Sequence, residues 1–207
     1  MKKWLIGFAV VLTTMLGTAQ AQQFEEGKHF EVIADNPTDK PVVQEYFSLY
    51  CVHCYQFEPI AEEIAKTFPE KFEKIHVSMI NPTGDMGQTM SRAYVAAEKL
   101  GIARKFIDTV FDYHFKKRTM LTSKEDIRNV FIVNGISGDE FDKAIASFSV
   151  RATASQNDRM AMNYDVSATP TFIVNGKYKL LPTGFRDSED FSGDFIKLIK
   201  YLLSNPV

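Results

Sequence analysis

Residues 42–54 of the chain are VVQEYFSLYCVHC, a segment that ends in two cysteines three positions apart. Its first eight residues, 42–49, are rich in β-branched and aromatic side chains, which predicts a strand. After the cysteines, apolar side chains recur at spacings of three and four, as on the buried face of a helix; they are Phe57, Ile60, Ala61, Ile64, Ala65 and Phe68. This helix is expected to end near Pro69. The two cysteines therefore lie where a strand ends and a helix begins.

Further strands are predicted on both sides of this unit. A short one covers His29 to Ile33, and Phe72 to Ile80 alternates well enough to complete a β-α-β unit. Near the C-terminus, strands at 171–174 and 178–181 flank Asn175-Gly176, a typical two-residue hairpin turn. An amphipathic helix over 188–203 closes the chain.

The middle of the chain, from Asp85 to about Asn163, carries helical patterns and no convincing strand. Two capping boxes are predicted there, Thr122 with Glu125 and Ser137 with Glu140. The element order is therefore β-α-β, an all-helical insertion, then β-β-α, which is an α/β fold.

The N-terminus is typical of a secretory signal peptide. Basic Met1-Lys2-Lys3 precedes a largely apolar run over 4–16 and the small-residue site Ala19-Gln20-Ala21, so we expect cleavage after Ala21. The run is shorter than the 20 or so apolar residues of a membrane span, which argues against the alternative of a retained anchor. Export predicts an oxidising compartment, the periplasm in a Gram-negative source.

The composition is that of a globular protein large enough to bury a core. The 207 residues include 45% hydrophobic residues, 24 Lys and Arg, and 26 Asp and Glu. A net charge of −2 lacks the basic excess of proteins that follow nucleic-acid phosphates. With only 2 Cys, the chain has one bridge or one reactive pair.

Cys51 and Cys54 are candidates for a reactive pair. Unpaired N–H groups at a helix start, together with the helix dipole, stabilise a thiolate at Cys51. His53 lies between the cysteines and adds a positive charge or a hydrogen bond, while Cys54 is expected to be more buried and to act as the resolving thiol. Whatever stabilises the thiolate favours the dithiol over the disulfide, so the disulfide is predicted to oxidise other thiols.

Two other uses of the pair stay open. A structural disulfide is common in exported proteins, although a bridge that closes so small a loop removes little entropy from the unfolded chain and therefore stabilises the fold little. A zinc site needs four ligands, and the remaining His29, His76 and His114 do not have the spacing that would complete one.

Three further residues are candidates for supporting roles. Pro170 precedes a predicted strand, and a cis bond after Thr169 would expose backbone groups to an extended peptide substrate, with the Thr169 hydroxyl turned to the sulfurs. Glu45 is either a buried acid that moves protons for Cys54 or an outward-facing strand residue. Glu58 is a weaker candidate and more typical of a solvated helix face.

Four stretches together resemble the DsbA family of periplasmic thiol oxidants, which has a thioredoxin fold: FSLYCVHCYQFE at 47–58, GDMG at 84–87, DIRNVFI at 126–132 and VNGKY at 174–178. The resemblance implies a thioredoxin-like fold interrupted by a helical insertion domain. We expect a signal peptide over 1–21, the first part of the thioredoxin-like domain over 22–83, the insertion over 84–163, and the second part, with a cis-proline loop, over 164–207.

The resemblance also implies an activity. The protein is expected to be a periplasmic oxidase that donates the Cys51–Cys54 disulfide to newly exported proteins and is re-oxidised by a DsbB-like, quinone-linked membrane protein. We expect a monomer without cofactor, metal or nucleic acid. Val52 stands where the family usually has proline, and Thr169 replaces a commoner valine; both positions are expected to touch substrate. The alternatives are an isomerase or reductase of the same fold, and a peptide-binding chaperone with an inert disulfide.

Overall fold

The computed structural model describes residues 24–78 and 85–204. The predicted signal peptide, Gly84 of the GDMG stretch, and the last two residues of the strand predicted over 72–80 lie outside these ranges. Within the two described ranges, no helix is both long and apolar enough to cross a bilayer.

The described residues form a five-stranded mixed sheet in the order β1-β5-β4-β2-β3. The strands are β1 (Phe30–Val32), β2 (Val43–Phe47), β3 (Phe72–His76), β4 (Thr171–Val174) and β5 (Tyr178–Leu180). Strands β2 and β3 are parallel, and the other pairs are antiparallel. The register of the parallel pair places Lys74 directly beside Glu45.

Helices cover both faces of the sheet. They are α1 (Val52–Thr67), α2 (Met86–Lys99), α3 (Ala103–Phe111), α4 (Lys124–Val133), α5 (Gly138–Ala146), α6 (Phe148–Asn163) and α7 (Phe191–Ser204). A π turn, Asp112–Lys116, extends α3, and a 3-10 helix, Pro182–Phe185, follows β5. Helices α2 to α6 fall within the predicted insertion, and the thioredoxin-like α/β architecture is confirmed.

The described residues bury three clusters of side chains in the core. One packs α1 and α7 on a face of the sheet, for example Ile64 and Phe195 against Phe172. A second packs α6 on the opposite face, where Ala161 joins Tyr46. The third fills the helical insertion and continues into Cys51 and Cys54. Burial of each large apolar side chain stabilises the fold by about 2 kcal/mol. The third cluster joins the helical insertion to the cysteine pair.

Strand β2 is shorter than predicted. It ends at Phe47 because Ser48 to Cys51 form a turn, in which the Cys51 N–H donates to the Ser48 carbonyl at 3.1 Å. The strand residues are all buried, as expected for a central strand that is covered on both faces.

One predicted capping box is wrong by one residue. Ser123 caps α4, and its partner is Asp126: the Ser123 hydroxyl accepts from the Asp126 N–H at 3.0 Å, and the carboxylate accepts from the Ser123 N–H at 2.9 Å. Thr122 and Glu125 have the same spacing, but this helix register turns Ile127 and Phe131 into the core. The box of Ser137 and Glu140 is confirmed.

The predicted hairpin turn is present, but its loop has three residues, 175–177, instead of the predicted two. Asn175 and Gly176 have φ of 54° and 61°, a region that favours glycine and asparagine. The Lys177 N–H closes the turn on the Val174 carbonyl at 3.0 Å. Because Val174 pairs with Tyr178, Lys177 also belongs to the loop.

Candidate active site

Cys51 is the N-cap residue of α1. Its backbone is extended, with φ −100° and ψ 116°, and its Sγ accepts a hydrogen bond from the Cys54 N–H at 3.4 Å. The first N–H groups of a helix have no partner within the helix, and here the sulfur satisfies one of them. The cysteine pair therefore lies at the strand–helix junction, as predicted.

Hydrogen bonds make the Cys51 thiol strongly acidic. They lower its pKa to about 5, and the largest contribution comes from the Cys54 side chain. Burial opposes this effect, while the Thr169 side chain and the backbone N–H groups of Cys54 and His53 add to it. A thiol with such a pKa is almost entirely thiolate at pH 7, the form that takes part in disulfide exchange.

The pKa of Cys54 is shifted in the opposite direction. Its side chain is fully buried, and its Sγ accepts from the Ser48 N–H at 3.5 Å. Burial raises the pKa of Cys54 far above its usual range, and the neighbouring Cys51 raises it further. The reduced pair therefore consists of a Cys51 thiolate and a protonated Cys54 thiol.

The loop before β4 reaches the cysteines from the other half of the chain. The Thr169–Pro170 peptide bond is cis, as predicted. The Cys51 thiol donates to the Thr169 carbonyl oxygen at 3.3 Å, and the Thr171 hydroxyl donates to the Ala168 carbonyl at 2.8 Å within the loop. Pro170 is half-buried next to this contact.

The Thr169 hydroxyl is buried, and its Oγ1 has no hydrogen-bond partner among the described residues. Buried hydroxyl groups usually have one. This hydroxyl is free to donate to a sulfur, and the Thr169 side chain lowers the pKa of both cysteines.

Val52 and His53 lie on the exposed start of α1. The hydrogen bond by which His53 lowers the pKa of Cys51 comes from its backbone N–H, so the electrostatic role of its imidazole stays a prediction. Val52 is 44% exposed, which leaves an apolar side chain beside Cys51.

Glu45 is buried, so the alternative of an outward-facing strand residue is wrong. Its Oε2 accepts from Lys74 Nζ at 2.7 Å, while Oε1 has no partner among the described residues. Burial raises the pKa of Glu45; Lys74 opposes this, and negative charges on Glu58 and Cys51 reinforce it. Glu45 is therefore coupled electrostatically to the charge of Cys51.

The expectation that Glu58 lies on a solvated helix face is wrong. Its carboxylate is buried and accepts from Lys74 at 3.0 Å and from Arg104 at 2.8 Å. Arg104 also contacts Glu62 and, at 2.6 Å, Asp108. Glu58 lies in the second turn of α1, where β3 supplies Lys74 and α3 supplies Arg104 to its buried carboxylate.

Sequence reasoning missed Lys74 and Arg104. The parallel β-α-β register could have revealed Lys74, since it sets this residue beside Glu45. No spacing signals Arg104, which lies 46 positions from Glu58. A cavity of about 680 Å³ opens next to these charges and is lined by Glu58, Lys74 and Arg104 among others.

Known proteins resemble this chain along most of its length. The family described as DSBA-like thioredoxin domain matches residues 42–195. The thiol:disulfide interchange protein DsbA of Escherichia coli (strain K12) is 36% identical over 210 residues, which are 98% of each chain.

Solved structures are also similar. DsbA from Klebsiella pneumoniae has a TM-score of 0.80 and 29% identity, covering 89% of this chain and 100% of its own. DsbA from Proteus mirabilis, solved with the non-covalently bound peptide PWATCDS, has a TM-score of 0.79 and 28% identity, covering 88% of this chain and 99% of its own.

Proposed function

This chain belongs to the DSBA-like thioredoxin domain family, and on that basis we propose that it is a periplasmic thiol:disulfide oxidase whose reactive bond joins Cys51 and Cys54. The observation that carries the proposal is the contrast between the two sulfurs. The pKa of Cys51 is lowered to about 5, whereas that of the buried Cys54 is raised.

The reaction begins with the oxidised pair. A substrate thiolate attacks Cys51 Sγ, the Cys51–Cys54 bond breaks, and a mixed disulfide forms between substrate and Cys51. Cys54 leaves as a thiolate and takes up a proton. A second substrate thiolate then attacks the substrate sulfur of the mixed disulfide, which releases Cys51 as a thiolate. The substrate loses two electrons and two protons; the protein gains both electrons and one proton, on Cys54, and the other proton is released to solvent.

Thiolate stabilisation sets the direction of this exchange. Each unit by which the pKa of Cys51 is lowered stabilises the dithiol form by about 1.4 kcal/mol, which is about 30 mV for a two-electron couple. Cys54 is fully buried whereas Cys51 keeps 7% of its surface exposed, so attack is directed at Cys51.

Val52, Thr169 and Pro170 form the proposed substrate-binding surface. The Thr169 backbone lies at the sulfur and is suited to pair with an extended peptide next to its reacting cysteine. The exposed Val52 side chain provides an apolar contact on the helix side. The peptide bound to the Proteus mirabilis protein supports a peptide substrate.

We assign a proton-transfer role to Glu45. Its raised pKa and its free Oε1 allow it to hold or release a proton when the charge of the cysteine pair changes. The cavity at Glu58 and Lys74 connects this group of charges with solvent. His53 completes the proposed set as an electrostatic contributor to the Cys51 thiolate.

The signal-peptide pattern supports export to the periplasm, where reduced, newly exported proteins are the substrates. A DsbB-like membrane protein linked to quinone is proposed to re-oxidise the dithiol, and the enzyme is proposed to act as a monomer.

Equilibration of the Cys51–Cys54 bond in glutathione redox buffers tests this function. We expect the bond to be reduced far more readily than a structural disulfide, and the oxidised protein to transfer it stoichiometrically to a reduced, unfolded substrate. The Cys54→Ser variant should accumulate a mixed disulfide through Cys51, whereas Cys51→Ser should not. A bond as resistant to glutathione as a structural disulfide would rule out the oxidase.

A further inference from the structure

Leu49 lies in the turn that joins β2 to the cysteines, two positions before Cys51. The turn closes through Ser48 and Cys51, so the N–H and C=O groups of Leu49 take no part in closing it. Leu49 is fully buried, and buried backbone polar groups need hydrogen-bond partners.

Two histidines supply those partners from opposite sides. The Leu49 N–H donates to His76 Nε2 at 3.0 Å, and the Leu49 carbonyl accepts from His114 Nδ1 at 2.8 Å. His76 is the last residue of β3, and His114 lies in the π turn of the helical insertion. Two imidazoles thus hold both polar groups of one turn residue.

The second nitrogen of each ring is also bonded, which determines the tautomers. His76 Nδ1 lies 2.8 Å from the Ser91 hydroxyl, and His114 Nε2 accepts from the Leu121 N–H at 3.1 Å. Each ring therefore carries its proton on Nδ1 and accepts at Nε2, which requires a neutral imidazole. Burial lowers the pKa of His76 to about 3 and also lowers that of His114.

His114 joins the insertion to the turn. A hydrogen bond from the Lys117 N–H to the Asp112 carbonyl, 2.9 Å long, closes the π turn, and His114 is the buried residue of this turn. The His114 ring stacks on Tyr50 at 4.9 Å, and the Tyr50 hydroxyl donates to the Leu121 carbonyl at 2.9 Å. π turns often occur at functional sites.

The same turn carries groups that act on the sulfurs. The Ser48 N–H donates to Cys54, and the turn ends at Cys51, the N-cap whose sulfur accepts from the first turn of α1. Movement of Leu49 would displace these donors from the two sulfurs.

We propose that His76 and His114 are positioning residues, which clamp the Leu49 peptide groups and thereby hold the cysteine pair in the geometry that stabilises the Cys51 thiolate. This inference rests on the proposed oxidase function and adds to it a control exerted from the helical insertion.

Three variants of His114 separate the two hydrogen bonds. His114→Phe keeps the ring stack on Tyr50 and loses both bonds. His114→Asn retains a donor near the position of Nδ1 for Leu49, and His114→Gln retains an acceptor near that of Nε2 for Leu121. His29→Phe is the matched control: His29 is buried and accepts from the Glu25 N–H at 3.0 Å, next to the strand at the far edge of the sheet.

The measurements are the glutathione equilibrium constant and the absorbance titration of the Cys51 thiolate. We expect the equilibrium constant for reduction of the Cys51–Cys54 bond by glutathione to fall about tenfold in His114→Phe, the equivalent of about 30 mV. The pKa of Cys51 should rise in the same variant. The equilibrium constant and the thiolate pKa should lie closer to the wild-type values in His114→Asn than in His114→Gln. His29→Phe should lower the melting temperature and leave both values at those of the wild type.

Two results would overturn the inference. One is a His114→Phe variant that is destabilised like His29→Phe but keeps the wild-type equilibrium and titration. The other is better restoration by Gln than by Asn. If wild-type protein is itself a poor oxidant, the proposed function fails instead, so the two failures are distinguishable.

A measurement on the wild type applies even if the variants do not fold. Long-range ¹⁵N–¹H correlation spectra of the imidazoles report the tautomers of the reduced protein. We expect neutral Nδ1–H rings at both His76 and His114. An Nε2–H ring at His114 would exclude the bond to Leu49 and refute the clamp.

Discussion

The carbonyl oxygen of Thr169 lies 3.3 Å from the sulfur of Cys51, although 118 positions of sequence separate the two residues. A Cys51 thiol donates its proton to this carbonyl, whereas a thiolate or a disulfide has no proton to donate. In the thiolate form and in the oxidised protein the carbonyl is therefore available to a backbone N–H of a peptide at the active site. The contact links the protonation state of Cys51 to the surface proposed to bind substrate.

The lowered pKa of Cys51 predicts a pH dependence of stability for the reduced protein. The ordinary thiol pKa applies in the unfolded chain and a pKa of about 5 in the folded one. The stabilisation is therefore complete above pH 9, fades as the pH falls towards 5, and is absent below it.

The oxidised protein has no thiol at this position and serves as the control. Urea unfolding of both forms between pH 9 and pH 4 should show the stability advantage of the reduced form shrinking as the pH falls. A constant difference across this range would contradict the assigned pKa.

Thr169→Val removes the buried hydroxyl and nearly preserves the shape of the side chain. We expect a higher thiolate pKa for Cys51 and an equilibrium constant with glutathione lower by about fivefold, which corresponds to about 1 kcal/mol. The oxidised form should become slightly more stable, because the hydroxyl is buried without a partner.

Thr171→Val provides the comparison, since it removes the hydroxyl that bonds within the loop to Ala168. It should reduce the stability of the loop and change the Cys51 titration less than Thr169→Val does. Equal titration changes in the two variants would mean that loop rigidity, and not the Thr169 hydroxyl, sets the pKa.

His53→Ser tests the side chain alone, because serine keeps the backbone N–H that donates to Cys51. We expect the pKa of Cys51 to rise by about one unit, with a weaker oxidant as the result. Gln56→Ser, an exposed substitution one turn further along α1, is the control. An unchanged thiolate titration in His53→Ser would leave only the backbone of this residue with a role.

Glu45→Gln is expected to stabilise the protein at pH 7. The pKa of Glu45 is raised by burial, so the folded protein holds this proton more tightly than the unfolded chain and loses stability as the pH rises above the ordinary carboxyl range. The neutral amide avoids that cost, and we expect a gain of about 1 kcal/mol.

The gain should disappear in urea unfolding at pH 4, where Glu45 is protonated in both states. Glu58→Gln should lower the free energy of unfolding, because it replaces the buried carboxylate that accepts hydrogen bonds from Lys74 and Arg104. A destabilised Glu45→Gln at pH 7 would show that the bond to Lys74 outweighs the burial of the charge.

Most of the local structure follows from short stretches of sequence. Apolar spacing predicts α1, the serine box predicts the start of α5, and Asn175-Gly176 predicts the turn between β4 and β5. The error at α4 has a physical reason: two boxes with identical spacing start at Thr122 and Ser123, and only packing of the helix selects between them.

The position of the cysteines at a helix start can be predicted from the sequence, because capping and hydrophobic periodicity act between residues a few positions apart. The groups that surround the cysteines could not be predicted in this way. The Thr169 carbonyl, the Lys74 partner of Glu45 and the two histidines on Leu49 come from distant segments that meet in the folded core. Burial and charge depend on those contacts, so the properties of the two thiols are set by the fold as a whole.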